Sequence, residues 1–169
     1  MSALYKLTYG LYILSVGEGE KLNGCVINTA TQVTAIPETI AVAVSKNNYT
    51  CDMIIRKKSF TICPLLQDVS NNVIANFGFA TGATKNKYEK QGYKLDSLGN
   101  PYITEGTACY LTCKLVNQLD LGTHILFVGE FTESEVFSEE QVLTYEYYQK
   151  FKKGKTSKNA PSYRAPQPQ

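Results

Sequence analysis

Residues 107–134 read TACYLTCKLVNQLDLGTHILFVGEFTES, and no other stretch indicates the fold class more directly. Residues 107–118 and 124–134 are rich in aliphatic, aromatic and threonine side chains, which favour β-strands. The sequence Asp120-Leu121-Gly122 between them is a turn signal. We therefore expect two long antiparallel strands joined by a tight turn.

Shorter strand-like segments precede this hairpin. The first two are separated by a second turn signal, Gly17-Glu18-Gly19-Glu20, and Pro64 should end the last one or place it at a sheet edge. The expected extended segments are residues 4–16, 22–34, 40–44 and 59–63. Two strands linked as a hairpin, with a third close behind, suggest an antiparallel meander.

Helices are few in this interpretation. Two short helices are expected at residues 51–57 and 71–77, capped by the hydroxyls of Thr50 and Ser70. Farther along, Ser138 and Gln141 form a capping-box pattern. This pattern predicts one longer C-terminal helix that reaches about Lys153 and closes at Gly154.

The strand count favours a closed barrel. Six or more strands with few helices are better served by closure than by a sandwich, because closure removes exposed sheet edges. A sandwich stays open on patterning alone. The chain of 169 residues fits one domain, which we expect to span residues 1–154 and to be followed by a C-terminal tail over residues 155–169 that is basic and contains proline.

Charge is distributed unevenly along the chain. The formal net charge is +2, but the last twenty residues contain basic side chains and no acid. These basic residues are Lys150, Lys152, Lys153, Lys155, Lys158 and Arg164. The cluster is typical of a surface for an anion or a protein partner, or of a solvated tail. No basic aromatic stripe crosses the body of the sequence, so nothing points to nucleic acid.

The cysteines and the apolar segments bear on the cellular compartment. The first ten residues lack the pattern of a signal peptide, and no apolar run approaches the roughly 18 residues of a membrane span. We therefore expect a cytoplasmic protein with no membrane segment, in which the five cysteines are thiols. Their scattered spacing, without a CxxC pair, predicts neither a disulfide framework nor a metal site.

Familiar catalytic constellations are missing from the sequence. His124 is the single histidine, and there is no phosphate-binding lysine loop or GxSxG elbow. No residue spacing pairs His124 with a nucleophile. This absence favours a protein whose cofactor carries out the difficult chemical step.

Three segments are candidates for ligand binding. Residues 45–50 lie between a strand and a helix N-terminus, where free N–H groups and the helix dipole favour a phosphate. The loop at residues 77–82 contains two glycines and is followed by Lys85 and Lys87. Residues 23–31 interrupt a strand-like run with polar groups. Each segment also has an ordinary interpretation, as a capped turn, a connecting loop and a solvent-facing strand.

Taken together, these segments resemble one family. The matching stretches are LNGCVINT at residues 22–29, VAVSKNNYT at 42–50, Phe77-Gly78 through Gly82 with Lys87, and HILFVGE at 124–130. The segment Leu143-Thr144-Tyr145 and the Ala160-Pro161-Ser162-Tyr163 ending match as well. In order and spacing they are similar to the flavin reductase-like family of FMN-binding split barrels.

The resemblance implies a mainly β fold, a Greek-key split β-barrel with a few short helices and one longer C-terminal helix. It also implies a homodimer that holds FMN non-covalently near the dimer interface. His124 would lie near the flavin and the nicotinamide, with a purely structural role left open. The residues implied in flavin binding are Asn28, Thr29, Ala30, Thr31, Ser45, Lys46, Asn48, Tyr49, Thr50, Phe77, Gly78, Ala80, Thr81, Gly82, Lys87 and Tyr163.

For activity, the resemblance implies electron transfer from NADH or NADPH through bound flavin to free flavin or a small redox protein. One relative carries a rubredoxin domain after this ending, so rubredoxin or a similar acidic carrier is a candidate partner for the basic tail. The alternatives are a passive FMN carrier without a nicotinamide site, a flavin-free interaction barrel, and a relative of pyridoxamine-phosphate oxidases.

Overall fold

The computed structural model describes residues 3–165 of the chain. Within this range the chain forms nine strands, three α-helices and a 3₁₀ turn at Ala3–Lys6. The strands are β1 (Tyr12–Glu18), β2 (Lys21–Ile27), β3 (Ala30–Ala35), β4 (Glu38–Ser45), β5 (Ser59–Pro64), β6 (Lys94–Leu95), β7 (Pro101–Tyr102), β8 (Cys109–Asp120) and β9 (His124–Val136). The helices are α1 (Tyr49–Lys57), α2 (Asn71–Gly78) and α3 (Tyr145–Lys150).

Seven strands form one antiparallel sheet in the order β2-β1-β5-β8-β9-β4-β3. The edge strands β2 and β3 are joined by only two residues, Asn28 and Thr29. Three Cα–Cα steps of about 3.8 Å separate Ile27 from Ala30, so these two edges cannot be more than about 11 Å apart there. The sheet must therefore curl until its edges meet, which confirms the barrel over a sandwich.

The predicted long hairpin is confirmed. Strands β8 and β9 pair from Cys109 with Val136 to Asp120 with Ile125, and Gly122 in the turn has a positive φ of 91°. On β9, a Cβ at Gly129 would lie 2.6 Å from Cys113 and 2.7 Å from Phe60. Gly129 thus lets the hairpin approach β5 closely.

Helix α1 packs against the strands in the barrel interior. Met53 and Ile54 of α1 are fully buried and join the aliphatic side chains of the strands. Side chains from six strands line a cavity of 390 Å³, among them Ile40, Ile62 and Phe131. We call this space the barrel-mouth cavity. A second core on the outside packs α2 and α3 against β1 and β5.

Two local expectations are corrected, those for the strand at residues 22–34 and for the cap of α1. The strand predicted over residues 22–34 breaks at Asn28 and divides into β2 and β3. Helix α1 is capped by Asn48, whose Oδ1 accepts from Thr50 N at 3.2 Å, so Thr50 is not the cap. Pro64 ends β5 as expected, but β5 lies in the middle of the sheet, between β1 and β8. Ser70 caps α2 as predicted.

The prediction of a longer C-terminal helix is wrong. Helix α3 has six residues, begins after Thr144 and is the shortest of the three α-helices described. Ser138 accepts only from Glu140 N, in an isolated turn. The backbone around Leu143 is bonded to Leu65 and Leu11 instead, and Leu143 is buried in the second core. Tertiary pairing of this segment therefore overrides its capping-box pattern.

Three further observations concern the length of the helices, the cysteines and possible metal ligands. No helix in the described part of the chain combines the length and apolarity needed to cross a membrane. All five cysteines are free thiols. Between residues 3 and 165, no three histidine, cysteine, aspartate or glutamate side chains are grouped so as to hold a metal ion.

Candidate functional site

The junction between β2 and β3 places Asn28 at the centre of the candidate site. Asn28 is buried, its Oδ1 accepts from Thr29 Oγ1 at 3.0 Å, and its Nδ2 donates to Ser162 Oγ at 2.5 Å. The carbonyl of Thr29 accepts from Ala43 N on β4. The strand break that sequence patterning missed therefore creates a polar corner beside the end of β4.

The turn after β4 forms the floor of the site. Ser45 ends β4, and its Oγ accepts from Asn47 N at 3.2 Å. Asn48 caps α1, so the free N–H groups of the first turn and the helix dipole point to this side. Lys46, which the family resemblance implies in flavin binding, pairs with the exposed Asp120 at 2.7 Å.

Next to this turn lies an unpaired buried amide. Asn23 on β2 is 1% exposed, and its Nδ2 donates to Thr50 Oγ1 at 3.0 Å. Its Oδ1 has no hydrogen-bond partner among the described residues. Turning the amide end for end would let Thr50 donate and would bring Nδ2 to the unpaired position. Either arrangement leaves one polar atom of Asn23 available to a ligand.

Gly82 lies directly over this amide. A Cβ at position 82 would overlap Asn23 Oδ1, so any larger residue must displace Asn23 or the loop. Gly78, at the end of α2, has more room, since its Cβ would make an ordinary 3.5 Å contact with Val26. Of Gly78 and Gly82, only Gly82 lies where the neighbouring residues leave no room for a side chain.

Lys87 brings a buried positive charge to the same region. Its Nζ donates to the carbonyls of Gly24 at 2.6 Å and Phe77 at 3.1 Å, which leaves one of its three N–H donors. Burial lowers the pKa of Lys87. Burial raises the pKa of the nearby Cys25 thiol, against the opposing effects of Lys87, Thr50 and Asn48, so these groups form one neighbourhood.

His124 begins β9 and is paired in register with Ser45. Its Nε2 lies 3.0 Å from the carbonyl oxygen of Asn159, and a carbonyl only accepts, so Nε2 carries the hydrogen. In the neutral ring, Nδ1 then accepts from Thr123 Oγ1 at 2.9 Å. The imidazole is therefore held in one tautomer at the edge of the site.

Residues 155–165, which we call the C-terminal tail, lie across this region. Two small cavities remain between the tail and the barrel, of 30 and 20 Å³. The smaller one lies between Ser45, Asn48 and Gly78 on one side and Asn159–Pro161 on the other. Residues 166–169 of the predicted tail lie outside the described residues.

The structure does not bring every predicted residue into this region. Ala30 and Thr31 line the barrel-mouth cavity, whereas Asn28 lines the cavity under the tail. The Tyr49 ring lies under Lys21 Nζ, 4.3 Å from the ring centroid. Tyr163 donates its backbone N–H to Ala160 in a turn of the tail. The roles of these four residues in flavin binding remain predictions.

The remaining predicted residues lie in α2 and the loop that follows it. Phe77 is buried and packs edge-on against Tyr88, so its contribution is a carbonyl that accepts from Lys87. Ala80 and Thr81 belong to the loop that carries Gly82, and Thr81 Oγ1 accepts from Ala83 N in a local turn. These residues position Gly82 and Lys87.

Sequence reasoning missed three residues that the structure brings to the site. Asn23 was included in a candidate segment but not singled out, although an asparagine inside a strand that proves to be buried is a usable signal. Asn159 and Ser162 of the tail bond to His124 and Asn28 across more than 30 residues. No local pattern signals such distant contacts.

Antiparallel barrels with a polar site at a helix N-terminus are the class of protein that this fold and this site define. Within that class, residues 4–154 match the family described as flavin reductase like domain. The chain belongs to the flavin reductase-like family, as its sequence motifs predicted. This is a flavin-binding family of oxidoreductases.

Individual relatives agree with this assignment. The chain is 40% identical over 161 residues to high molecular weight rubredoxin of Moorella thermoacetica, covering 95% of this chain and 70% of the relative. It is 35% identical over 163 residues to ferric-chelate reductase (NAD(P)H) of Archaeoglobus fulgidus, covering 96% of each. The structure of an NADH:FAD oxidoreductase from Streptomyces globisporus superposes with a TM-score of 0.74 at 19% identity, covering 82% of this chain and 81% of that one. The last comparison shows the split-barrel fold.

The residues present fit a flavin phosphate. The N-terminus of α1, the unpaired amide atom of Asn23 and the Thr50 hydroxyl supply hydrogen-bonding groups, and Lys87 supplies charge. Gly82 lies against that amide and, having no side chain, leaves it in place. This orphaned buried atom is the observation that favours a hydrogen-bonding ligand at this place.

Proposed function

We propose that this chain holds FMN in the site under the tail and is an NAD(P)H-dependent oxidoreductase. The observation that carries the proposal is the buried amide of Asn23, which lacks a partner beneath Gly82 at the N-terminus of α1. Membership of a flavin-binding family and the reductase names of its relatives support the same conclusion. Electrons would leave to free flavin or to a small redox protein.

The chain's own residues would bind and orient the cofactor. Asn48 caps the helix whose first turn would face the phosphate, and Thr50 and Asn23 would hydrogen-bond to it. Asn28 and Ser45 would fix the edge of the flavin ring with neutral polar groups. His124 would hold a donor at Nε2 near the ring and the nicotinamide. The bound flavin supplies hydride and electron transfer, which no side chain here can provide.

Anaerobic absorption spectra test this proposal. The purified protein should carry, or take up, FMN with the absorption bands of a bound flavin. NADH or NADPH should then bleach those bands, which would distinguish an enzyme from a passive carrier. Bleaching by reduced rubredoxin or ferredoxin, with no response to either nicotinamide, would favour the carrier. A folded protein that ignores added FMN would contradict the proposal.

We also propose a homodimer. Large apolar side chains are exposed on both the β3–β4 and the β8–β9 hairpins: Val33, Ile36, Val116, Leu119 and Leu121. These hairpins are neighbours in the sheet, because β4 pairs with β9. The register places their two turns at opposite ends of this pair, so an interface that runs along the pair would bury the exposed apolar side chains at both ends.

Sedimentation measurements test the dimer. Leu119→Lys combined with Ile36→Lys should shift the protein from dimer to monomer, since each change places a charge in the apolar surface. Leu95→Lys, at an exposed leucine on β6, is the matched control and should leave the dimer intact. A wild-type monomer would rule out the interface.

A redox protein partner is the final part of the proposal. Lys153, Lys155 and Lys158 are exposed on the segment that lies over the candidate flavin site. An acidic carrier such as rubredoxin would be steered there by charge. The rate of electron transfer to such a carrier should then fall steeply as salt rises, and a salt-independent rate would exclude this docking mode.

Two further expectations are kept as proposals. We propose that residues 1–154 form the flavin-binding domain and residues 155–169 a separate functional segment. We also propose a cytoplasmic location, which the five free thiols favour. Limited proteolysis and cell fractionation address these two points.

A further inference from the structure

We propose that the C-terminal tail closes the flavin site of the flavin-free chain, so that FMN and the closed tail exclude one another. The inference rests on the proposed function and adds a gate to it. In the closed arrangement the tail uses polar groups that the flavin would need. Binding of the cofactor would therefore require the tail to move first.

Two hydrogen bonds join the tail to the predicted flavin site. Ser162 Oγ accepts from Asn28 Nδ2 at 2.5 Å, and the carbonyl of Asn159 accepts from His124 Nε2 at 3.0 Å. Both donors belong to the predicted flavin site, on β2–β3 and β9. The tail therefore satisfies two donors that would otherwise face the ring of the cofactor.

Little space is left between the tail and the barrel. The cavities left under the tail are 30 and 20 Å³, about the room taken by a single water molecule. Pockets that bind cofactor-sized ligands have roughly 300–1,000 Å³. A flavin cannot share this region with the tail as it lies. The same residues, Asn28, Ser45, Asn48 and Gly78, line these cavities.

Few contacts hold the tail on the barrel. None of its residues 155–165 is buried, so the closed arrangement gains little from apolar contact. Apart from the two bonds from Asn28 and His124, its contacts lie at its two ends. Tyr148 Oη donates to the carbonyl of Lys155 at 3.2 Å and Tyr145 bonds to Thr156, while the Arg164 guanidinium lies 4.8 Å from the centroid of the Tyr5 ring. Residues 157–163 between these ends are tied to one another by two turns. This segment can therefore leave the barrel as a unit once the bonds from Asn28 and His124 and the contact of Arg164 are broken.

Closure of the tail should weaken the apparent affinity of the protein for FMN. When only the open fraction of the protein binds a ligand, the apparent Kd rises by the reciprocal of that fraction. A variant that weakens the closed state should bind FMN more tightly and faster. Ser162→Ala removes the acceptor for Asn28 without touching the barrel.

Trypsin cleavage gives a readout that does not depend on flavin. The tail carries three exposed cleavage sites, Lys155, Lys158 and Arg164. In the flavin-free protein, release of the terminal peptide should be several-fold faster for Ser162→Ala than for the wild type. Ser97→Ala, at an exposed serine far along the chain, is the matched control and should be cleaved at the wild-type rate. Equal rates for Ser162→Ala and wild type would overturn the closed contact.

Added FMN provides the second arm. FMN should speed cleavage of the wild-type tail, and Ser162→Ala should lower the Kd for FMN about fivefold, the effect expected from one hydrogen bond. A chain ending at Gly154 should show a larger gain. Protection of the tail by FMN, or weaker binding by Ser162→Ala, would overturn the proposal. If no variant binds FMN, the proposed function fails, while the cleavage rates without flavin still report on the closed contact.

Discussion

No side chain fits at position 82, because the Asn23 amide lies against the glycine there. Most special glycines are required by a positive φ, as at Gly122 in the β8–β9 turn. Gly82 is required instead by a neighbour, because a Cβ there would overlap the Asn23 amide. The identity of this residue thus depends on a contact between two segments almost 60 positions apart.

At the residue scale we predict that Gly82→Ala weakens FMN binding about tenfold, the loss expected when one strong hydrogen bond to the ligand is displaced. The added methyl group must push the Asn23 amide away from its position beside Thr50. Fluorescence titration with FMN measures the effect. Gly92→Ala is the matched control, because nothing lies within 4 Å of its Cβ. Equal affinity for both variants would show that the Asn23 amide does not contact the ligand.

At the scale of elements, one buried carboxylate ties the short β6–β7 hairpin to the barrel. Asp96 accepts from the hydroxyls of Thr61 on β5 and Thr112 on β8. It also accepts from the backbone N–H groups of Leu98 and Asn100. A carboxylate with four or more donors can be buried without a cation, because its charge is distributed over hydrogen bonds.

We predict that Asp96→Ala destabilises the fold by about 2–4 kcal/mol, since it leaves several buried donors without an acceptor. Urea unfolding followed by circular dichroism measures the change. Asp68→Ala removes an exposed carboxylate and should change stability by less than about 0.5 kcal/mol. A loss below about 1 kcal/mol for Asp96→Ala would mean that water replaces the carboxylate.

For the whole molecule, burial of thiols makes stability depend on alkaline pH. Burial raises the pKa of Cys63 and Cys113 to about 12, above the ordinary thiol value of 9.0. A group with a raised pKa stabilises the fold fully below its unfolded pKa, and that stabilisation is lost as pH rises towards the folded value. Lys87 acts in the opposite direction, because burial lowers its pKa.

We therefore predict that the free energy of unfolding falls between pH 8 and pH 10. Each fully buried thiol should contribute about 1.4 kcal/mol to the loss for each pH unit above the unfolded pKa. Urea unfolding at several pH values measures the slope. Cys113→Ala should reduce that slope relative to the wild type, and an identical slope would show that Cys113 titrates in the folded state as it does in the unfolded one.

Local patterns were sufficient wherever an element is stabilised by its own neighbours in sequence. The β8–β9 hairpin has strand formers on both sides of a glycine turn, and Ser70 caps α2 by a contact two residues away. The prediction from Ser138 failed because the backbone around Leu143 bonds to Leu65 and Leu11, far earlier in the chain. Thr50 was chosen as a cap where Asn48, two residues earlier, has the better geometry.

By itself the sequence determined a mainly β chain, a barrel and the flavin reductase-like family. These follow from strand periodicity, turn residues and motif order, which are local or simply ordered along the chain. Only the tertiary structure decided that Gly82 covers the Asn23 amide, that Lys46 pairs with Asp120, and that Ser162 bonds to Asn28. Each of these contacts joins segments that are far apart in the sequence. They meet only because of the path of the whole sheet, which no local sequence pattern encodes.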